Sequence, residues 1–122
     1  MPGLQKIFQA YGADYHTTMA RFVGNEALYL RFLDLLFQDE NLEKLVSPLD
    51  SGDLNRAFEA AHTLKGVTGN LGLTSLCEAV CRIVEPLRRG EALDYMELCQ
   101  DIQLEFRRAD QFRAALREGA ST

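Results

Sequence analysis

Asp53-Leu54-Asn55-Arg56-Ala57-Phe58-Glu59-Ala60-Ala61-His62-Thr63-Leu64-Lys65-Gly66-Val67-Thr68-Gly69-Asn70-Leu71-Gly72 reads as one amphipathic helix with both ends written in the sequence. Leu54, Ala57, Phe58, Ala61, Leu64, Thr68 and Leu71 recur every three or four residues, the spacing that stacks side chains on one helical face. Ser51 or Asp53 supplies the N-cap, because a short side-chain oxygen there can accept from a first-turn amide that has no helical partner. Gly72 stands where a helix commonly ends on a left-handed residue.

The same period continues on either side. Upstream, Asn25 caps a helix whose stripe is Leu28, Phe32, Leu35, Leu36, Leu42, Leu45 and Val46, broadened by Leu33 and Phe37. Ser47-Pro48 is expected to stop it, since the residue before a proline is pushed out of the helical region. Downstream, Thr74 or Ser75 caps a third helix with Leu76, Cys77, Val80, Ile83, Val84 and Leu87 inside. Pro86 either kinks that helix in its last turns or ends it early, and Gly90 closes the segment. A fourth helix is expected from about Glu91 to Arg117, with Tyr95, Cys99, Ile102, Phe106, Ala109 and Leu116 inward. Residues 4–22 read as one or two small helices across an end of the bundle. No stretch alternates with a period of two. The pattern is all-α: an antiparallel four-helix bundle at about residues 25–118, with an N-terminal helical extension at about 1–22, forming a single domain over 1–122.

Composition narrows the function. The 122 residues suffice for one domain, and 47% hydrophobic with 25% charged residues excludes a wholly disordered chain. Eighteen acidic against 13 basic residues give a net charge of -5, the wrong sign for a general binder of phosphate backbones. Arg107, Arg108, Arg113 and Arg117 make the last helix locally basic, but Glu105, Asp110 and Glu118 intersperse them, which reads as a solvated face with intrahelical pairs. No apolar run reaches the ~20 residues a membrane span needs, and the N-terminus lacks the pattern of a secretory leader. A cytoplasmic location, with reduced thiols at all three cysteines, is the expectation. Met1 and the polar tail Glu118-Gly119-Ala120-Ser121-Thr122 suggest a freestanding small protein. A monomer is expected, because all four stripes can be satisfied within one bundle.

Two features of the quoted helix are poor scaffold design. Gly66 and Gly69 are interior, and each costs about 1 kcal/mol relative to alanine. At 100° per residue, position 66 lies about 40° from His62, position 65 about -60° and position 69 about -20°. His62, Lys65, Gly66 and Gly69 therefore form a narrow stripe off the apolar face. It combines an imidazole, whose neutral form is a nucleophile, a cation suited to a phosphate oxygen, and two positions without side chains. The stripe reads as a solvent-facing nucleophilic histidine that handles a phosphoryl group and meets a bulky donor.

The run His62-x-Leu64-Lys65-Gly66, followed by Leu71-Gly72 and Leu76, resembles the signature of histidine-containing phosphotransfer (HPt) domains. Phe22-Val23-Gly24-Asn25-Glu26, with Leu28, Tyr29, Phe32 and Leu33, resembles the opening of the first bundle helix in bacterial members, and the similarity covers roughly residues 10–95. The resemblance implies a phosphorelay intermediate. His62 would accept a phosphoryl group from a receiver-domain aspartyl phosphate, and Lys65 would screen its charge. Glu59, Gly66, Gly69 and Asn70 would surround the docking surface. Response-regulator receivers and a hybrid histidine kinase would be the partners. Mg²⁺ would sit on the receiver, leaving this chain without a cofactor or kinase activity. The resemblance departs at one place: some members carry a glutamine on the following helix that hydrogen-bonds the histidine, where this chain has Val84 between Ile83 and Glu85. Either that bond is missing here or another polar residue makes it.

Other readings are weaker. A helical adaptor would keep the bundle and bind receivers or kinases without chemistry. His16 lies among Tyr15, Thr17 and Thr18 without a partner and reads as a surface histidine. Cys77 and Cys81 share a helix face, but a zinc site needs two more ligands and only Cys99 is of the right type. A di-iron bundle needs repeated Glu-x-x-His, and Glu59-Ala60-Ala61-His62 occurs once, so no metal is expected. Glu40, Glu43, Asp50 and Asp53 read as a solvated loop.

Overall fold

The computed structural model describes residues 3–120. Met1 and Pro2 of the extension, and Ser121 and Thr122 of the polar tail, lie outside them. Among the described residues there are seven helices and no strand: α1 (Leu4–Tyr11), α2 (Tyr15–Ala20), α3 (Glu26–Gln38), α4 (Asn41–Asp50), α5 (Leu54–Asn70), α6 (Thr74–Arg88) and α7 (Met96–Ala120). α5 packs between α4 and α6, and α7 packs against α6, α3 and α1. The expected bundle is present, with α3 and α4 together filling its first position.

That position is two helices rather than one. Glu40 adopts a positive φ of 53°, which ends the helical path. The Asn41 side-chain Nδ2 donates to the Leu36 carbonyl at 3.2 Å, satisfying a C-terminal acceptor of α3. The inward face of α3 also differs from the expected stripe. Tyr29, Leu30, Leu33 and Leu36 are buried, whereas Phe32 and Leu35 are 47% and 45% exposed. α3 is apolar around most of its circumference, so its period alone cannot select the face; packing on α7 selects it.

Neither proline stops its helix. Pro48 lies inside α4, which runs on to Asp50, and Pro86 lies inside α6, which continues to Arg88. Each occupies the last turn, where only one backbone bond is forfeited. α6 starts from Leu73 with no side-chain cap, so neither Thr74 nor Ser75 serves as the N-cap. α7 starts at Met96, five residues later than expected. Before it, the Tyr95 hydroxyl donates to the Glu91 carbonyl at 2.7 Å, and Asp94 accepts from the Met96 amide at 3.0 Å.

The N-terminal extension joins the core. Phe8 is fully buried and meets Phe112 edge-on with 5.0 Å between ring centres, and Tyr11 stacks on Phe112 at 4.3 Å. Phe112 is a buried α7 residue that the expected stripe omitted. Arg108 and Arg113 pair within α7, with Glu105 and Asp110, as expected. Arg113 and Arg117 also reach across to Asp34 on α3, which makes part of that basic face an interhelical contact. No helix among the described residues is long and apolar enough to cross a membrane.

Every tyrosine holds its proton more tightly in the fold. Burial pushes Tyr11 up to about 12, with nearby Glu105 adding to the shift. Burial also raises Tyr29 and Tyr95, and the hydrogen bond to Glu26 raises Tyr15. A raised folded-state value means that stability is intact below the unfolded value near pH 10 and is lost as pH climbs through the folded value. Urea midpoints should therefore be flat up to about pH 10 and fall beyond it. Among the described residues the Tyr11 hydroxyl is buried without a hydrogen-bond partner. Tyr11→Phe should thus keep or raise stability at pH 8 and make the alkaline fall shallower.

Candidate functional site

The apolar face of α5 fixes where its other face points. Ala57, Ala61, Leu64 and Thr68 are buried, and the Thr68 hydroxyl is satisfied by the Leu64 carbonyl at 2.7 Å. Asp53 caps the helix, accepting from the Arg56 amide at 3.2 Å. His62, Lys65, Gly66 and Asn70 are consequently exposed. They line one open depression together with Gly69, Arg21 and Cys77. Five of the six sequence-expected residues therefore converge. Glu59 does not join them: it lines a neighbouring groove between α4 and α5 with Glu40, Glu43, Lys44 and Arg56.

Both charged side chains around the depression, Arg21 and Lys65, are cationic. Arg21 was not legible in the sequence, because its partners lie some fifty positions downstream. Its Nη1 donates to the carbonyls of Gly69 and Asn70 at 3.0 and 3.1 Å. These are the last carbonyls of α5, the negative end of its dipole, so a guanidinium is well placed there.

No hydrogen bond reaches either ring nitrogen of His62 among the described residues. Of the two alternatives left open by the sequence, the bond is therefore missing, and Val84 itself is buried in the core. The contact made by the imidazole is instead with Phe58, one turn earlier on α5: the rings stack at 5.7 Å with 22° between their planes. The Arg88 guanidinium on α6 lies over the same phenyl ring at 5.0 Å. The sequence assigned Phe58 to the core stripe; its spacing of four from His62 was the available signal.

Gly66 and Gly69 are not required by internal packing. A Cβ at Gly66 would meet nothing within 4 Å, and one at Gly69 would sit 3.6 Å from the Cys77 sulfur, an ordinary contact. Gly72 is different. It has a φ of 71°, and a Cβ there would lie 2.2 Å from the Thr18 hydroxyl.

The cysteines do not gather. Cys77 and Cys81 line the groove between α2 and α6, and burial pushes the Cys81 thiol up. Cys99 lies on α7 beside Leu49 and Asp50. Among the described residues no three His, Cys, Asp or Glu side chains are placed to hold a metal. His16 is exposed, with Gln5 within 3.2 Å.

Residues 32–117, most of the chain, match the family model of the Hpt domain. No solved structure matches the chain.

The two kinds of glycine should separate in unfolding experiments. Gly66→Ala should raise stability by up to about 1 kcal/mol, since only the intrinsic helix penalty is removed. Gly72→Ala should lower it by about 1–3 kcal/mol or more, from the left-handed backbone and the clash with Thr18. Urea denaturation of both variants checks the contrast.

Proposed function

The chain belongs to the Hpt-domain family, and we propose that His62 is its phosphoacceptor. Hpt domains act in phosphorelays as carriers of a phosphoryl group on histidine rather than as kinases. In the proposed reaction, a lone pair on a His62 ring nitrogen attacks the phosphorus of a receiver aspartyl phosphate. The N–P bond forms as the P–O bond to the aspartate breaks, and the electron pair leaves with the carboxylate. Transfer to a second receiver runs the same exchange in reverse.

One observation carries this reading: an exposed histidine shares its stripe with two glycines that the fold does not need. Their cost of about 1 kcal/mol each makes sense when another protein must approach the ring closely. Lys65 supplies a mobile point charge for the phosphoryl oxygens, and Arg21 adds a second cation to the same depression. Asn70 and the bare backbone at Gly66 and Gly69 form the docking rim; Glu59 contributes from the adjacent groove. Mg²⁺ belongs to the receiver on this reading, and the chain itself holds no cofactor. Receivers and a hybrid histidine kinase are the proposed partners, with the carrier a cytoplasmic monomer of one domain.

Incubation with a phosphorylated receiver should label the wild-type protein, with label lost in acid and retained in base. His62→Gln should abolish labelling without loss of helical signal. Lys65→Ala should slow transfer roughly tenfold, the effect of removing about 1.4 kcal/mol of transition-state stabilisation. An adaptor without chemistry would bind receivers equally well with glutamine at position 62 and would take no label in either form.

A further inference from the structure

His62 is exposed on a helix surface, where an imidazole unrestrained by a hydrogen bond can turn about two side-chain torsions. Transfer does not tolerate that freedom well. The nitrogen lone pair lies in the plane of the ring, so the orientation of that plane sets the direction from which phosphorus must approach. A hydrogen bond to the second nitrogen is one way to fix the plane. Here none is recorded among the described residues, and the α6 position that could offer one is the buried aliphatic Val84.

Stacking is another way to fix the plane. Side chains on a helix lean toward its N-terminus, so His62 lies over the turn that carries Phe58. The two rings lie nearly parallel and offset, with 22° between their planes and 5.7 Å between their centres. Phe58 is itself held. It is half-buried on α5, and Arg88 reaches over its ring from α6 with the guanidinium turned to Glu85 at 3.2 Å. The stack therefore ties the imidazole plane to the α5–α6 interface.

We propose that Phe58 is a positioning residue that orients the His62 ring for phosphoryl transfer by stacking, in place of a hydrogen bond from the following helix. This rests on the proposal that His62 is the phosphoacceptor. In this role Phe58 sets the rate of transfer rather than partner affinity.

Two experiments separate the possibilities. The first needs no donor: proton NMR of the His62 ring in wild type, Phe58→Leu and Phe58→Tyr. Ring-current shielding should move the imidazole C–H signals upfield in wild type and in Phe58→Tyr, and leucine, which keeps most of the bulk, should abolish that shift. The second measures transfer from a phosphorylated receiver and from phosphoramidate, a small donor that needs no docking surface. Phe58→Leu should slow transfer at saturating donor by about 10- to 100-fold from both sources, leave the receiver Kd unchanged, and be rescued by Phe58→Tyr. Circular dichroism and urea midpoints check that each variant is folded. An unchanged saturated rate in folded Phe58→Leu overturns the positioning role, and so does a loss confined to Kd. If wild type takes no phosphoryl group from either donor, the acceptor assignment of His62 is what fails; the NMR shift then still reports whether the stack exists.

Discussion

The C-terminal end of α5 is the point on which the rest of the structure depends. A helix leaves its last carbonyls without internal partners, and burying them unpaired is costly. Here each is met. The Val67, Thr68 and Gly69 carbonyls accept from the Leu71, Leu73 and Gly72 amides. Arg21 donates to the Gly69 and Asn70 carbonyls, and the Tyr29 hydroxyl donates to the Leu71 carbonyl at 2.7 Å. Those two donors come from the N-terminal extension and from α3. The helix that carries His62 is thus pinned by segments remote in sequence, at an end where Gly72 makes the turn and lies too close to Thr18 to carry a side chain. The extension is part of the apparatus that holds the site.

With that end fixed, the outward face of α5 can be left bare. A helix whose buried face supplies ample packing tolerates two interior glycines, each a loss of about 1 kcal/mol. A glycine inside a helix can be required by a close approach within the chain. Gly66 has no such neighbour, and Gly69 has only ordinary contact with Cys77. The missing side chains therefore leave space outside the molecule, above a surface that already carries an imidazole and two cations. That is the physical link between the fold, whose stability they lower, and the proposed transfer, which they admit.

Much of this was legible in the sequence, and the failures share a cause. α5 was read almost residue for residue because its cap, stripe and closing glycine agree. On α3 the stripe was right at Leu28, Leu33, Leu36 and Phe37 but wrongly included Phe32 and Leu35, because an apolar circumference carries little directional information. The break at Glu40 and the late start of α7 depend on local bonds made by Asn41, Tyr95 and Asp94, which no period reports. In the site, the residues on α5 itself were found, since helical geometry relates them to one another. Arg21 was missed because only the folded chain brings α2 to the end of α5. Phe58 was read as part of the core stripe and does pack against the core, but its second contact, with the His62 ring, has no signature of its own in the spacing.

The distribution of charge bears on how such a carrier would release its partners. The chain is acidic overall, at -5, yet the charged side chains around the depression are both cations. At physiological ionic strength the Debye length is about 8 Å, so the net charge is largely screened at a docking surface while groups in contact are not. An acidic, phosphorylated partner would therefore feel attraction at the depression and little else. Arg21 is already engaged by two carbonyls, and Lys65 is a single flexible ammonium, so the attraction is local and modest. A strongly basic surface would hold the donor after transfer. On the proposed function, a carrier that gives up one receiver to meet the next is better served by a small cationic spot on an acidic body, with recognition left to shape around the two glycines.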